Sequence, residues 1–375
     1  MTPRERYLET LLFCRPDRVP LVPGPGRRST HEAWRQQGLP ADIEDVQQYA
    51  YRQVGGTLPW PEAGPAFAVT ERMIPQFEEK VLERRERTQI VQDWKGNICE
   101  IGNQYPVEYL RDPVDFVTRR WIKCPVESRT DWQAMQGRYD PDDPARLPPN
   151  SATLAAPLRD RETVLTVTFS GPFWQLREWL GFERLCMLFH DDPAWLREMV
   201  EFWRVFLARL LERLLAQVVP DMLCISEDMA YKGFPMISPA MAEDFLAPCY
   251  RTWGSILRAA GCPIYAIDSD GFIPDLIPVW LEAGVNLCLP IEVAAGNDLP
   301  RMRDRFGRRL AFEGGIDKRA IAAGGAAMEA ELGRLEPVIK DGGYLPSCDH
   351  GVPANVSWPD YLHYVECLAR KTGWL

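Results

Sequence analysis

From residue 164 onward the chain alternates short apolar runs with longer amphipathic stretches, and this rhythm constrains the fold more than any other feature of its 375 residues. The runs at 164–169, 222–225, 263–267, 286–289, 310–312 and 343–345 are too short for buried helices. Most are too evenly apolar for strands with one wet face, so they read as strands covered on both sides. Between them apolar residues recur at helical spacing, most clearly Trp195, Met199, Phe202, Phe206, Leu210 and Leu214 in an expected helix at 193–218. Further helices are expected near 239–260, 274–283, 298–306 and 318–336. Strand–helix units of about 25 to 40 residues require a parallel sheet, and closure into a single α/β (β/α)8 TIM barrel is the expected form.

The first part of the chain keeps a different pattern. Residues 4–14 read as a short helix and 18–23 as a first strand, which Pro20 and Pro23 confine to an edge. Residues 75–101 alternate apolar and polar around Gly96-Asn97, which predicts a small antiparallel β ribbon. The Pro- and Asp-rich stretch 140–149 predicts a loop. One domain over 1–375 is expected, with 1–150 carrying an N-terminal extension and the ribbon, and 160–365 the regular barrel part.

Charge narrows the partners. A net charge of −10 and a pI near 5.1 leave no basic footprint for nucleic acid or an anionic membrane. No apolar run approaches the roughly 18 residues of a membrane span, and the charged N-terminus Met1-Thr-Pro-Arg-Glu-Arg6 is unlike a signal peptide, so a cytoplasmic protein is expected. The 10 cysteines include no C-x-x-C pair and mostly sit in apolar segments, which predicts free thiols.

Chemistry is expected where the strands end. Tyr265-Ala-Ile-Asp-Ser-Asp-Gly271 ends a strand on two carboxylates of equal parity, Asp268 and Asp270, which would face the shared mouth of a barrel. Like charges so close imply a metal, a shared proton or a cationic ligand. Other strand ends deliver Glu227 and Asp228, then Glu292, then Glu313, Asp317 and Lys318, then Cys348, Asp349 and His350. Such a ring can shift pKa values or bind metal, although an ion-pair network or helix caps would produce the same pattern. Arg27 and Arg28 follow a Pro/Gly loop and suit an anionic substrate, or else simply face solvent.

Several motifs resemble the uroporphyrinogen decarboxylase superfamily, which includes corrinoid- and thiol-directed methyltransferases. They are Ser170-Gly-Pro-Phe-Trp174, Glu227-Asp-Met-Ala-Tyr-Lys232 followed by Ile237-Ser-Pro239, Asp268-Ser-Asp-Gly271, Gly284-Val-Asn286 with Pro290-Ile-Glu292, Gly314-Gly-Ile-Asp-Lys318, and Cys348-Asp-His-Gly-Val-Pro353. The resemblance implies a (β/α)8 barrel, with Asp268, Asp270, His350 and Glu227 catalytic and with Arg27, Arg28, Asp228, Tyr231, Lys232, Glu292 and Lys318 binding substrate. True decarboxylases carry an Arg-Gln-Ala-Gly-Arg-Tyr pattern near the N-terminus, which Gly24-Pro-Gly-Arg-Arg28 replaces here. The methyltransferase branch holds zinc through His-x-Cys and a later Cys. These positions fall on Asp268-x-Asp270 and on or near Cys348, so the implied metal ligands are Asp268, Asp270 and Cys348, for zinc or a harder divalent ion.

The expected activity is methyl transfer between a methylated small molecule and a corrinoid or thiol acceptor, with metal assistance and with a corrinoid as co-substrate. A decarboxylase of a uroporphyrinogen-like tetrapyrrole or a smaller acid is the alternative, and a non-catalytic tetrapyrrole- or corrinoid-binding barrel the third. The expected partners are the small-molecule substrate and a corrinoid protein, with a homodimer as one candidate assembly.

Overall fold

The computed structural model describes residues 1–111 and 119–375. The expected ribbon lies within a four-stranded antiparallel sheet formed in order by β1 (Lys80–Arg84), β2 (Thr88–Gln92), β3 (Ile98–Gly102) and β4 (Arg120–Lys123). Its turn at 93–97 is fixed by Asp93, whose Oδ1 accepts from the Lys95 and Asn97 amides at 2.9 Å each. Val91, Cys99, Ile101, Val107 and Leu110 make this sheet a small core of its own.

The regular part supplies β5 (Thr166–Ser170), β6 (Met222–Ser226), a two-strand hairpin of β7 (Ala230–Tyr231) and β8 (Phe234–Pro235), then β9 (Ile264–Asp268), β10 (Leu287–Ile291), β11 (Ala311–Ile316) and β12 (Tyr344–Cys348). Six of these pair in parallel in the order β12-β11-β10-β9-β6-β5. Alternation along each strand divides the side chains into two cores. Met222, Cys224, Ile264, Ala266, Leu287, Ala311 and Leu345 form an inner cluster with Leu11, whereas Leu223, Ile225, Tyr265, Ile267, Cys288, Phe312 and Tyr344 pack outward against the helices. Both faces are therefore dry, which is why the runs look continuously apolar. Each fully buried Leu or Ile among them stabilises the fold by about 1.5–3 kcal/mol.

The helix Pro3–Leu11 plugs the lower end of the inner core. Thr2 and Glu5 cap it reciprocally, and its Thr10 carbonyl accepts from the Gly343 amide at 2.8 Å. Asp221, fully buried, holds this end together by pairing with Arg4 at 2.8 Å and Arg161 at 2.7 Å.

Closure differs from expectation: no closed ring of paired strands is present among the described residues. Two extended segments lie along the sheet edges without becoming strands. Beside β12, residues 18–26 form no strand but make an isolated bridge, Gly26 to Val352, with bonds from the Val352 amide to the Pro25 carbonyl at 2.9 Å and from the Cys348 amide to the Pro23 carbonyl at 3.2 Å. The expected strand at 18–23 is absent because Pro20 and Pro23 have no N–H to donate to a ladder. Beside β5, residues 64–69 line a cleft of about 370 Å³ together with residues 164–168, touching at Gly64, where a Cβ would lie 2.2 Å from the Val164 carbonyl oxygen.

Three helical departures follow from local chemistry. The expected helix at 318–336 is two, Lys318–Ala323 and Gly325–Asp341, because Gly324 sits at φ +64°, where a Cβ would also meet Asp360 Oδ1 at 2.3 Å. The stretch 239–260 passes through a π turn at Ala242–Leu246 just before Pro248, which lacks the N–H for an α continuation. A last helix, Trp358–Thr372, buries Tyr361 and Tyr364 against the outer wall. No helix among the described residues is long and apolar enough to cross a membrane.

Candidate active site

In-register pairing sets Ser226 of β6 beside Asp268 of β9, and Asp268 beside Leu289 of β10. All three share the inner parity, so the strand ends open into a cavity of about 460 Å³ whose lining includes Ser226, Asp228, Asp268, Asp270, Ser347 and His350. Asp268 Oδ2 accepts from Ser226 Oγ at 3.2 Å. Burial, then the charges of Asp228 and Asp270, push the Asp268 carboxyl up to about 7. Asp228 is likewise raised, first by burial and then by Asp270. Its Oδ1 accepts the Asp270 amide at 3.1 Å, and its backbone sits at φ +41° with its carbonyl held by Arg177 at 3.2 Å. His350 Nε2 lies 3.3 Å from Asp270 Oδ2, a contact that raises the imidazole above its ordinary value. His350 Nδ1 accepts from the Gly351 amide at 2.7 Å, so the proton of the neutral ring belongs on Nε2, facing Asp270.

Gly271 closes this loop against the hairpin of β7 and β8. It adopts φ +88°, and a Cβ there would fall 2.4 Å from the Ala230 carbonyl carbon, so only glycine fits. Tyr231 and Lys232, on that hairpin, are exposed. Their placement is outside the cavity lining.

Glu227 follows β6 with the opposite parity and is fully buried away from the cavity. Its carboxyl sits at the start of the helix Pro172–Leu180, accepting from the Trp174 amide at 3.0 Å and from the Tyr250 hydroxyl. A Cβ on Gly171 would lie 2.1 Å from this carboxyl carbon, which explains the glycine of Ser170-Gly-Pro-Phe-Trp174. Burial pushes Glu227 up to about 8 despite these donors.

Glu292 and Lys318 meet each other beside the cavity. Lys318 Nζ is 3.0 Å from Glu292 Oε1 and 3.6 Å from Asp349 Oδ1, and Glu292 Oε2 accepts from the Gly271 amide at 3.2 Å. Arg27 lies alongside Gly351, where a Cβ would come within 3.6 Å of its Nε. Arg28 instead faces solvent and pairs with Glu32 at 3.2 Å.

The implied metal ligands Asp268, Asp270 and Cys348 all border the cavity, but their donor atoms do not lie within 4.8 Å of one another. Cys348 belongs to the outer apolar cluster with Tyr361 and Tyr364, and burial pushes its thiol up to about 12. On β12 it is Ser347 that shares the inner parity of Leu345. Among the described residues, the three-ligand set with donor atoms within 4.8 Å of one another is a different one, Glu329, His363 and Cys367.

Sequence reasoning left out Ser347 and Glu71, and placed Ser226 and Glu313 at strand ends without giving either a role. Glu71 Oε1 accepts from the Ser170 amide and hydroxyl at 3.4 and 3.3 Å, and burial raises this carboxyl. Glu313 points inward on β11, where burial and then Asp268 push it up to about 7. Its parity with Ala311, two residues earlier, was the available signal.

A scan against protein-family models finds no match to the sequence, and no curated protein matches it. Solved structures are similar to it. A methyltransferase from Methanosarcina mazei is similar over 100% of this chain and 98% of that one, at 12% identity and a TM-score of 0.54. A B12-independent methionine synthase from a Shewanella species, in complex with selenomethionine, is similar over 79% of this chain and 74% of that one, at 12% identity and a TM-score of 0.38. The first of these shows a common fold across both chains.

Proposed function

We propose that the chain is a methyltransferase of the uroporphyrinogen decarboxylase-like kind, which moves a methyl group from a small methylated donor to a thiol or corrinoid acceptor. The observation that carries this reading is the grouping of Asp228, Asp268, Asp270 and His350 in one cavity at the strand ends. Three carboxyls and one imidazole cannot all be charged there without cost, so protons are held in common. The full-length likeness in fold to a methanogen methyltransferase supports the same reading.

Transfer from R–X–CH3 to R′–SH requires the C–X bond to break with its electron pair going to X, while a new C–S bond forms. Asp268, retaining its proton near neutrality, donates that proton to X as it leaves. The Asp270–His350 pair accepts the thiol proton, which returns to Asp268 to complete R–XH and R′–S–CH3. A corrinoid delivered by a partner protein would serve as the acceptor nucleophile at the same mouth, with Asp268 again protonating X.

A divalent ion at Asp268 and Asp270 would polarise X instead. Those carboxylates are engaged by Ser226 and His350, so the residues support the proton route. Decarboxylation of an eight-carboxylate tetrapyrrole is poorly served, because Arg28 faces solvent and Arg27 alone of the pair approaches the cavity.

The test incubates the purified chain with methylated amines, thiols and aryl ethers plus a thiol or a reduced corrinoid, and follows the demethylated product by mass spectrometry. Asp268→Asn is expected to slow transfer by about 10²–10⁴-fold. Release of carbon dioxide from a tetrapyrrole or small acid, with no methyl transfer, would replace this reading with the decarboxylase. Tight tetrapyrrole or corrinoid binding without either turnover would leave the binding barrel.

A further inference from the structure

We propose that the outer wall carries a second site, formed by Glu329, His363 and Cys367, which takes a thiophilic divalent ion of the zinc class. The helices Gly325–Asp341 and Trp358–Thr372 each follow a strand of the same parallel sheet and pack on one another. They therefore run side by side in the same sense, and Glu329 in the second turn of one faces His363 in the second turn of the other. The i, i+4 spacing stacks Cys367 on the same face as His363.

His363 Nε2 is 3.3 Å from Glu329 Oε1, and the three donor atoms lie within 4.8 Å of one another. Zinc bonds of about 2.0–2.3 Å in a tetrahedron place donors about 3.5 Å apart, which small side-chain rotations reach. Imidazole and thiolate select zinc, cobalt or copper over magnesium and calcium. Three protein ligands leave one position for water or an incoming ligand.

Charge supports the same assignment. A thiolate and a carboxylate together match a doubly positive ion. Binding forms a sulfur–metal bond at Cys367 and releases the S–H proton to solvent. The nearby cations are engaged elsewhere, Arg370 with Glu366 at 2.7 Å and Lys371 with Glu336 at 2.8 Å. An ion would tie together two helices of which the first begins at the Gly324-Gly325 break, and would raise the melting temperature by mass action.

Cobalt(II) added to the full-length, reduced protein reads this site directly. One equivalent should bind with thiolate-to-cobalt charge-transfer absorption, which zinc then abolishes by displacement. Cys367→Ser and His363→Ala should each remove the absorption, while Asp268→Asn and Cys348→Ser keep it. Metal-free melts of the two surface variants should match the parent, which shows that they fold. No absorption at equimolar cobalt, or absorption that survives Cys367→Ser, would overturn the proposal. Neither result bears on methyl transfer at the cavity.

Discussion

His350 Nε2 stands 3.3 Å from Asp270 Oδ2, whereas Asp268, two residues earlier and facing the same cavity, is held by the Ser226 hydroxyl at 3.2 Å. One aspartate faces the Nε2–H of an imidazole and the other only a hydroxyl donor, a division that separates a base from an acid. Asp270→Asn is therefore expected to lower the His350 pKa, because the hydrogen bond and charge of Asp270 are what raise it. A raised imidazole pKa adds stability that is fully present below the unfolded value and lost as pH rises through the folded one. The variant should accordingly melt lower at mildly acidic pH and match the parent at alkaline pH. Proton NMR titration follows this directly, since only four histidines contribute ring signals; an unmoved His350 titration would contradict the pairing.

Asp268→Asn tests the acid. Its carboxyl is raised by burial and by Asp228 and Asp270, so ionisation of Asp268 works against the fold as pH climbs. The amide keeps an acceptor for Ser226 and removes that cost. The expected outcome is loss of turnover with a melting temperature equal to or above the parent at about pH 8. Unchanged turnover would return Asp268 to a merely structural part.

How far the sequence revealed this site depends on where each strand stops. Asp268 and Asp270 were readable because β9 ends at Asp268 and the run before it is unbroken. Glu227 was misplaced by a single step of parity: β6 runs through Ser226, so the next residue turns back to cap the helix Pro172–Leu180. Cys348 borders the cavity, but the strand expected at 343–345 continues to 348, which packs its side chain among the outer-core residues. The sheet edges were harder still. The prolines at 20 and 23 suggested an edge strand at 18–23, yet each removes an amide donor and so interrupts the ladder that the pattern implied.

Cys348 offers a check on that parity. Its thiol is buried and pushed up to about 12, whereas Cys14 is exposed. An alkylating reagent at about pH 8 should modify Cys14 quickly and leave Cys348 untouched until the protein unfolds. Cys348→Ser should cost about 1–3 kcal/mol, from a hydroxyl buried among Tyr361 and Tyr364, with turnover retained. Rapid native-state labelling of Cys348, read by peptide mass mapping, would mean that the thiol faces the cavity after all.

Glu227→Gln separates a buried cap from a catalytic acid. The carboxyl accepts from the Trp174 amide and the Tyr250 hydroxyl, and burial pushes it up to about 8 against an ordinary value near 4.5. The folded state then holds a proton that the unfolded chain releases, so this residue's contribution to stability declines as pH rises from the unfolded value through about 8. Glutamine mimics the protonated form and has no proton to lose. The variant should be about as stable as the parent or slightly weaker at about pH 5, where one acceptor contact is less favourable. It should gain on the parent steadily toward about pH 9, with methyl transfer preserved throughout. Paired thermal melts across that range measure the difference. A constant offset at every pH would mean the carboxyl titrates normally. Loss of turnover with intact folding would move Glu227 from the helix cap into the reaction itself.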